Sequence, residues 1–247
     1  MNYIAKYYEK ISDLLKRLFD EQAENMQKAA EKIVETAISA DGMIYIFGCT
    51  HAGIIAQEAF YRTGGLVFIN PIFPPGLMCD VMPSTLTSQI ERIDGYGAVI
   101  ADEYNIKSGD LLIVHSVSGR NSVPVDMALR ARELGAYVIA ITSLEYSKAS
   151  RPRSKSGKNL YETADLVIDN CGERGDAALE IEGFEQKTSP TSTVAGAAVI
   201  NAVTAQAAGI FLEMGQTPPV FISANLDGGD EKNAALMKKY RNKIKYL

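Results

Sequence analysis

The sequence has 247 residues, of which 47% are apolar and 22% are charged, a composition typical of a globular protein with one large domain. Its formal net charge of -5 argues against a broad nucleic-acid-binding surface, although a local basic loop can still hold a phosphate.

The sequence lacks the patterns that predict membrane insertion, secretion or metal binding. No run of eighteen apolar residues occurs, and the opening MNYIAKYYEK lacks the charged-then-apolar order of a secretory signal, so we expect a cytoplasmic protein outside the membrane. Cys49, Cys79 and Cys171 lie far apart and without metal-ligand spacing, and the chain has two histidines. We therefore expect no metal, no disulfide framework and no bound cofactor.

The first predicted element is a long helix. Apolar residues recur every three or four positions from residue 3 to residue 38, and no proline interrupts them. A helix of that length usually extends beyond the core of its own domain. We expect contact with a partner along it, with packing across the domain as the alternative.

Strands and helices alternate through the middle of the chain. Short apolar runs predict five strands, at residues 42–48, 66–70, 109–116, 136–142 and 164–170. Helical patterns lie between them at residues 51–65, closed by Gly64 and Gly65, and at residues 94–105 and 123–135. This order predicts a five-stranded parallel sheet with helices on both faces, a three-layer α/β/α sandwich.

The connecting segments and the C-terminal part complete the prediction. The proline-rich segment 71–88 is aperiodic and predicts a lid or a binding loop, and segment 143–162 predicts a second loop. Residues 189–215 predict a helix of small residues suited to the core or a subunit interface, and residues 230–247 predict a charged helix.

The strongest functional signal follows the third strand, in the stretch HSVSGRNSVP. Ligands of such sheets bind beyond the carboxyl ends of the strands, where strand order reverses. Ser116 and Ser118 follow this strand, Gly119 permits a tight turn, and Asn121 or Ser122 begins a helix. Hydroxyls, free amides and a helix dipole would then converge on an anion, whereas simple helix capping is the competing interpretation.

The run DLLIVHSVSGRN, followed by a helix and GAYVIAIT, resembles the signature of the sugar isomerase (SIS) domain family. The earlier IYIFGCTHAGIIAQEAFYRTGG and the later SPTSTVAGAAVINAV are similar to its glycine loop and its hydroxyl-rich helix start, so the resemblance covers about residues 35–220. It implies a flavodoxin-like single domain over residues 1–247, most like bacterial phosphoheptose isomerase-like proteins. It also implies a homodimer built through helices, or a higher homo-oligomer.

By this resemblance Ser116, Ser118 and Asn121 would bind the phosphate of a sugar phosphate, with Gly119 making the turn and Ser122 supplying a possible further hydroxyl. The chain departs from the family at its first loop. Where the family often has Gly-x-Gly-x-Ser, this sequence has Gly48, Thr50 and Ala52, so one glycine and one hydroxyl are missing. Thr50 is the candidate for restoring that hydroxyl.

Aldose-ketose isomerisation needs a base that moves a proton between C1 and C2, and often an acid that opens the ring. A carboxylate suits the first role and a histidine the second. Glu58 in the first helix and Glu91 after the proline-rich loop are the candidate bases, and His51 is the candidate acid. The alternatives are a solvated or interface role for Glu58 and a structural role in the loop for His51.

Other polar residues carry weaker signals. His115 should point away from Ser116, because side chains alternate along a strand, and is expected to be a satisfied core histidine. The basic residues of segment 151–158 are either phosphate ligands or a solvated face; they are Arg151, Arg153, Lys155 and Lys158. Thr191, Ser192 and Thr193 are candidates for contacts with sugar hydroxyls, with helix capping as an equal alternative.

The preferred function is therefore a sugar-phosphate isomerase, and the alternative is a non-catalytic protein that binds or senses a sugar phosphate. The motive for the alternative is Ala52 in place of the expected serine, together with a shortage of obvious catalytic residues. A nicotinamide enzyme is a weaker third possibility, because GCTHAG is not a complete Gly-x-Gly-x-x-Gly and no acidic residue ends the strand LVFIN.

Overall fold

The computed structural model describes residues 2–247 and has a five-stranded parallel sheet at its centre. The strands are β1 (Ile44–Gly48), β2 (Ile69–Ile72), β3 (Leu111–His115), β4 (Tyr137–Thr142) and β5 (Leu166–Asp169). Their order is β2-β1-β3-β4-β5, and every neighbouring pair is parallel. The predicted parallel sheet is confirmed, and strand order reverses between β1 and β3, where ligands of this arrangement bind.

Helices cover both faces of the sheet. They are α1 (Tyr3–Ile38), α2 (Ile54–Ala59), α3 (Thr85–Ile90), α4 (Tyr96–Glu103), α5 (Ser122–Glu133), α6 (Leu144–Lys148), α7 (Ser192–Glu213) and α8 (Gly229–Lys239). Successive strand residues face opposite layers: Ile113 packs in the core shared with α1 and α7, whereas Leu112 and Val114 pack in the core shared with α4 and α5. This confirms the three-layer sandwich.

The first helix has a buried face and an overhanging end. Its N-cap is Asn2, whose side chain accepts a hydrogen bond from the amide of Ala5 at 3.1 Å. Most of its buried residues lie in the second half of the helix. The first half contacts an antiparallel hairpin, β6 (Ala177–Ile181) and β7 (Phe184–Pro190), through a hydrogen bond from the Tyr7 hydroxyl to the Pro190 carbonyl at 2.9 Å. The sequence analysis did not predict this hairpin.

The helix after β1 is shorter than predicted. A 3-10 turn over Thr50–Gly53 precedes α2, and α2 ends at Ala59, six residues before Gly65. Phe60 leaves the helix in an extended conformation because its ring packs against Phe73 and Tyr246, with ring centroids 5.9 Å and 4.8 Å apart. The prediction that Gly64 and Gly65 close the helix is therefore wrong.

The second strand begins three residues later than predicted. The amide of Val67 donates to the Pro219 carbonyl at 2.9 Å and Leu66 forms a bridge with Val220, so this segment pairs with the chain after α7. Pairing with β1 starts only at Ile69. The predicted loops also contain the short helices α3 and α6, and the C-terminal helix ends at Lys239.

Among residues 2–247, α7 is the one helix long and apolar enough to cross a membrane by length and composition alone. The same test is passed by core helices. The buried residues of α7 recur every three or four positions and belong to the core that α1 and the sheet share, so α7 is a core helix here.

Candidate functional site

The candidate site is the serine loop, defined as residues 116–122, which connects β3 to α5. Its carbonyls are held from outside: those of Val117, Gly119 and Arg120 accept hydrogen bonds from the amides of Ser143 (3.0 Å), Leu160 (2.8 Å) and Arg153 (2.8 Å). Gly119 has φ +59°, and a Cβ there would lie 2.8 Å from the Ser147 hydroxyl. The turn thus requires glycine on grounds of both conformation and space.

The serine loop also carries hydrogen-bond donors that, unlike these carbonyls, are unpaired within residues 2–247. Within the described chain, the amides of residues 117–122 and the half-buried hydroxyls of Ser116 and Ser118 have no hydrogen-bond partner. The same segment leads directly into the N-terminus of α5, where the helix dipole favours negative charge. Consecutive free amides beside hydroxyls at a helix N-terminus form an anion-binding arrangement.

Asn121 does not cap the helix that it precedes. It is the N-cap residue of α5 by position, but its side chain makes no capping hydrogen bond. Its carbonyl oxygen instead accepts from the Arg153 guanidinium at 2.7 Å. The capping interpretation of this segment therefore does not explain Asn121.

Glu91 lies beside Asn121. The Glu91 carbonyl accepts a hydrogen bond from the Val123 amide at 3.1 Å, which ties the end of α3 to the start of α5. Burial raises the pKa of the Glu91 carboxyl above its ordinary value of 4.5, and a hydrogen bond with Asn121 and the charges of Arg92 and Arg153 partly oppose this rise. The structure thus brings one predicted carboxylate to the edge of the serine loop.

The glycine loop, residues 48–53, lies next to the serine loop because Gly48 pairs with His115 in the sheet. Gly48 has no room for a side chain, since a Cβ would lie 2.5 Å from the Ala52 carbonyl oxygen. Thr50 has φ +55° and donates its amide to the Leu77 carbonyl at 2.7 Å, so the proline-rich loop packs on this turn. The half-buried Thr50 has no side-chain hydrogen bond within residues 2–247.

Cys49 and His51 differ in their surroundings. Cys49 is buried, and burial together with the nearby Glu91 charge raises the pKa of its thiol. The His51 side chain is exposed and makes no hydrogen bond within the described chain. The structure therefore places His51 at the surface of the glycine loop.

His115 is buried at the end of β3, and its Nδ1 lies 3.0 Å from the Ala52 carbonyl oxygen. A carbonyl only accepts, so Nδ1 carries the proton and donates to it. Its Nε2 has no partner among the described residues. Burial lowers the pKa of His115, against weaker opposing contributions from the Ala52 hydrogen bond and the Asp176 charge.

Four predicted site residues have their polar groups engaged elsewhere. Glu58 pairs with Arg62 and accepts from the Asn201 side chain at 2.9 Å. The Ser122 hydroxyl donates to Asp94 at 2.7 Å. Thr191 and Ser192 donate hydrogen bonds to Asp176. Thr193 is half-buried, with no side-chain hydrogen bond in the described part of the chain.

Asp176 caps α7. Its carboxylate accepts from the amides of Thr191 (3.1 Å) and Ser192 (2.8 Å) and from the Ser192 hydroxyl (2.7 Å). The hydroxyl-rich helix start is thus occupied by a carboxylate from the loop after β5.

The basic segment 151–158 packs against the serine loop. Arg153 binds Asn121, and Lys155 pairs with Asp94 at 3.6 Å, whereas Arg151 and Lys158 are exposed. Two further arginines, Arg120 and Arg174, lie near Arg151 around one open cavity. Sequence reasoning missed these two because each stands alone in its loop. Their only signal was their position after strands β3 and β5.

No cluster of three or more His, Cys, Asp or Glu side chains that could hold a metal ion occurs within residues 2–247.

Comparison with known proteins gives three consistent findings. The family model described as SIS domain matches residues 6–143. A UPF0309 protein of Shouchella clausii is 48% identical over 247 residues, which cover 100% of both chains. Phosphoheptose isomerase structures from Neisseria gonorrhoeae and Francisella tularensis share the fold, at 16% and 14% identity and a TM-score of 0.52 each. Both alignments cover 84% of this chain, and they cover 96% and 97% of those chains.

Proposed function

Because this chain belongs to the SIS domain family, we propose that its serine loop binds the phosphate of a sugar phosphate and that the protein interconverts the aldose and ketose forms of that sugar. The observation that carries the proposal is the set of unused donors in residues 116–122, which have no protein acceptor in the described chain. A phosphate supplies several acceptor oxygens to such a set, together with the charge that the α5 dipole favours.

Glu91 is the proposed base. An isomerase must remove a proton next to a carbonyl and return it to the neighbouring carbon, and a carboxylate whose pKa is raised toward the working pH does so efficiently. Glu91 combines a raised pKa with a position beside Asn121, at the edge of the phosphate site. Glu58 is less suited, since Arg62 and Asn201 already bind its carboxylate.

The experiment compares wild type, Glu91→Gln and Ser118→Ala on a panel of aldose and ketose phosphates in deuterated water. Nuclear magnetic resonance follows exchange at C1 and C2, and calorimetry gives the affinity. We expect Glu91→Gln to slow exchange by about 100-fold or more, because general-base catalysis is lost while the phosphate contacts remain. Ser118→Ala should weaken binding by about 10-fold or more, because a hydrogen bond to a charged group is lost.

Two results would contradict these assignments. Exchange at the wild-type rate in Glu91→Gln removes Glu91 as the base. Unchanged affinity in Ser118→Ala removes the serine loop as the phosphate site.

The second candidate is a protein that binds or senses a sugar phosphate without converting it. The exposed position of His51, the engagement of Glu58 by Arg62 and the presence of Ala52 in the glycine loop favour it. This candidate would be supported if calorimetry shows that wild type binds a sugar phosphate while no member of the panel exchanges its C1 or C2 proton.

A further inference from the structure

A cluster of arginine side chains lies beside the serine loop. We define the arginine pocket by Arg120, Tyr146, Arg151 and Arg174, which surround an open cavity of about 520 Å³. These residues come from the three loops that follow β3, β4 and β5, so the pocket lies beyond the carboxyl end of the sheet. Its volume falls within the range of small-molecule sites.

The three guanidinium groups have no carboxylate partner. None of them forms an ion pair within residues 2–247, although the sequence contains more acidic than basic residues. The Glu145 carboxylate accepts a hydrogen bond from the Arg174 amide at 3.1 Å and pairs with no guanidinium of the pocket. Three unpaired cations around one cavity repel each other, and an anion would remove that cost.

Arg120 supplies independent evidence for a ligand. Its Nε is buried and has no acceptor in the described chain, and leaving a buried charged donor unpaired is costly. Guanidinium groups bind carboxylates and phosphates through paired hydrogen bonds, and the Arg120 guanidinium, which lines the pocket, has no such partner in the described chain.

The pocket and the serine loop share Arg120 and offer different groups to a ligand, guanidinium groups in the pocket and amides with hydroxyls in the loop. The Arg120 amide belongs to the free amides of the loop, and the Arg120 side chain lines the pocket. Asn121 and Arg153, which bind each other at 2.7 Å, do not line the pocket. A ligand that spans both sites therefore needs two acidic groups.

We infer that the ligand is a sugar phosphate with a second anionic group, a carboxylate or a second phosphate, which binds the arginine pocket while the first phosphate binds the serine loop. This inference rests on the proposed function and narrows its substrate class.

The experiment uses two matched ligand pairs and isothermal calorimetry at pH 7.5. Fructose 1,6-bisphosphate is compared with fructose 6-phosphate, and 6-phosphogluconate with glucose 6-phosphate. We expect wild type to bind the doubly acidic member of at least one pair about 10-fold to 100-fold more tightly, and the pair with the larger ratio identifies the second group as phosphate or carboxylate.

The quantity compared is the affinity ratio, defined as the affinity for the doubly acidic member of a pair divided by the affinity for the singly acidic member. Three variants test which residues produce this ratio. Arg151→Gln/Arg174→Gln alters two exposed side chains, so the fold should be retained, and the ratio should fall toward one. Ser118→Ala should weaken both members of a pair and leave the ratio in place. Arg132→Gln is the charge control, because Arg132 pairs with Asp165 just before β5, at the amino end of the strands and so at the opposite end from the pocket. It should preserve the wild-type ratio.

The outcomes separate this inference from the proposed function. A wild-type ratio near one in both pairs overturns the inference alone. A double variant that weakens both members of a pair equally also overturns it, since the pocket then holds the phosphate that both members share. A charge control that lowers the ratio as much as the double variant overturns it too. If no member of either pair binds wild type, both proposals fail.

Discussion

Asn121 stands at the N-cap position of α5, but its side chain does not cap the helix. A side-chain cap at this position usually stabilises a helix by about 1 kcal/mol, yet Asn121 binds Arg153 instead and leaves the first amides of α5 without a side-chain acceptor. Ser116 and Ser118 also leave their hydroxyls unpaired in the described chain. Stability forgone at adjacent positions is characteristic of a binding site.

The buried His115 should make stability sensitive to mild acid. Burial lowers its pKa in the folded protein from the ordinary value of 6.5. Just below about pH 6.5 the imidazole is therefore protonated in the unfolded chain but still neutral in the folded chain. The free energy of unfolding should then fall as pH falls, by at most about 1.4 kcal/mol per pH unit from this group. Glu91, whose pKa is raised, acts in the opposite direction.

Urea unfolding at pH 7.5 and 5.5 checks this prediction in wild type, His115→Gln and His51→Gln. The loss of stability between the two pH values should be smaller in His115→Gln than in wild type. It should keep its wild-type size in His51→Gln, because that side chain is exposed in the folded state. An equal loss in wild type and His115→Gln would refute the assignment.

The start of α7 depends on a carboxylate from another segment of the chain. Asp176 accepts hydrogen bonds from the Thr191 and Ser192 amides and lies where the helix dipole favours negative charge. Asp176→Ala should therefore lower the free energy of unfolding by about 1–2 kcal/mol, measured by urea unfolding.

Asp20→Ala, on the exposed surface of α1, is the matched control and should change stability by less than about 0.5 kcal/mol. Equal stability of Asp176→Ala and the control would mean that the cap contributes nothing measurable.

Elements that depend on local periodicity were predictable from the sequence, whereas those set by distant contacts were not. Apolar periodicity predicted α1, and short apolar runs predicted β1, β3 and β4. The end of α2 was missed because Phe60 turns away to pack against Tyr246, far along the chain. The hairpin had one local signal that was overlooked, the Glu182-Gly183 turn, in which Gly183 has φ +80°.

The candidate site divides in the same way. The serine loop was readable because its hydroxyls and its glycine are consecutive in the sequence. The arginine pocket was not, because Arg120, Arg151 and Arg174 come from three loops that only the parallel sheet brings together. Sites assembled from several strand ends are typical of this architecture, and sequence spacing carries little information about them.

The overhanging N-terminal half of α1 points to self-association of the whole molecule. A 36-residue helix is about 54 Å long, far longer than the strands that it covers. Ile4, Tyr8 and Phe19 lie on one side of it and are 85%, 72% and 42% exposed. An apolar stripe of this kind on an otherwise charged helix is typical of an interface between subunits.

We expect light scattering coupled to size-exclusion chromatography to give wild type twice the chain mass of 26.8 kDa. Ile4→Glu/Tyr8→Glu should shift the mass to that of one chain, because charges on the stripe oppose burial of this face. Val99→Glu, at an exposed apolar position on α4, is the matched control and should leave the dimer intact. A wild-type mass of one chain would contradict dimerisation, and a double variant that stays dimeric would place the interface away from α1.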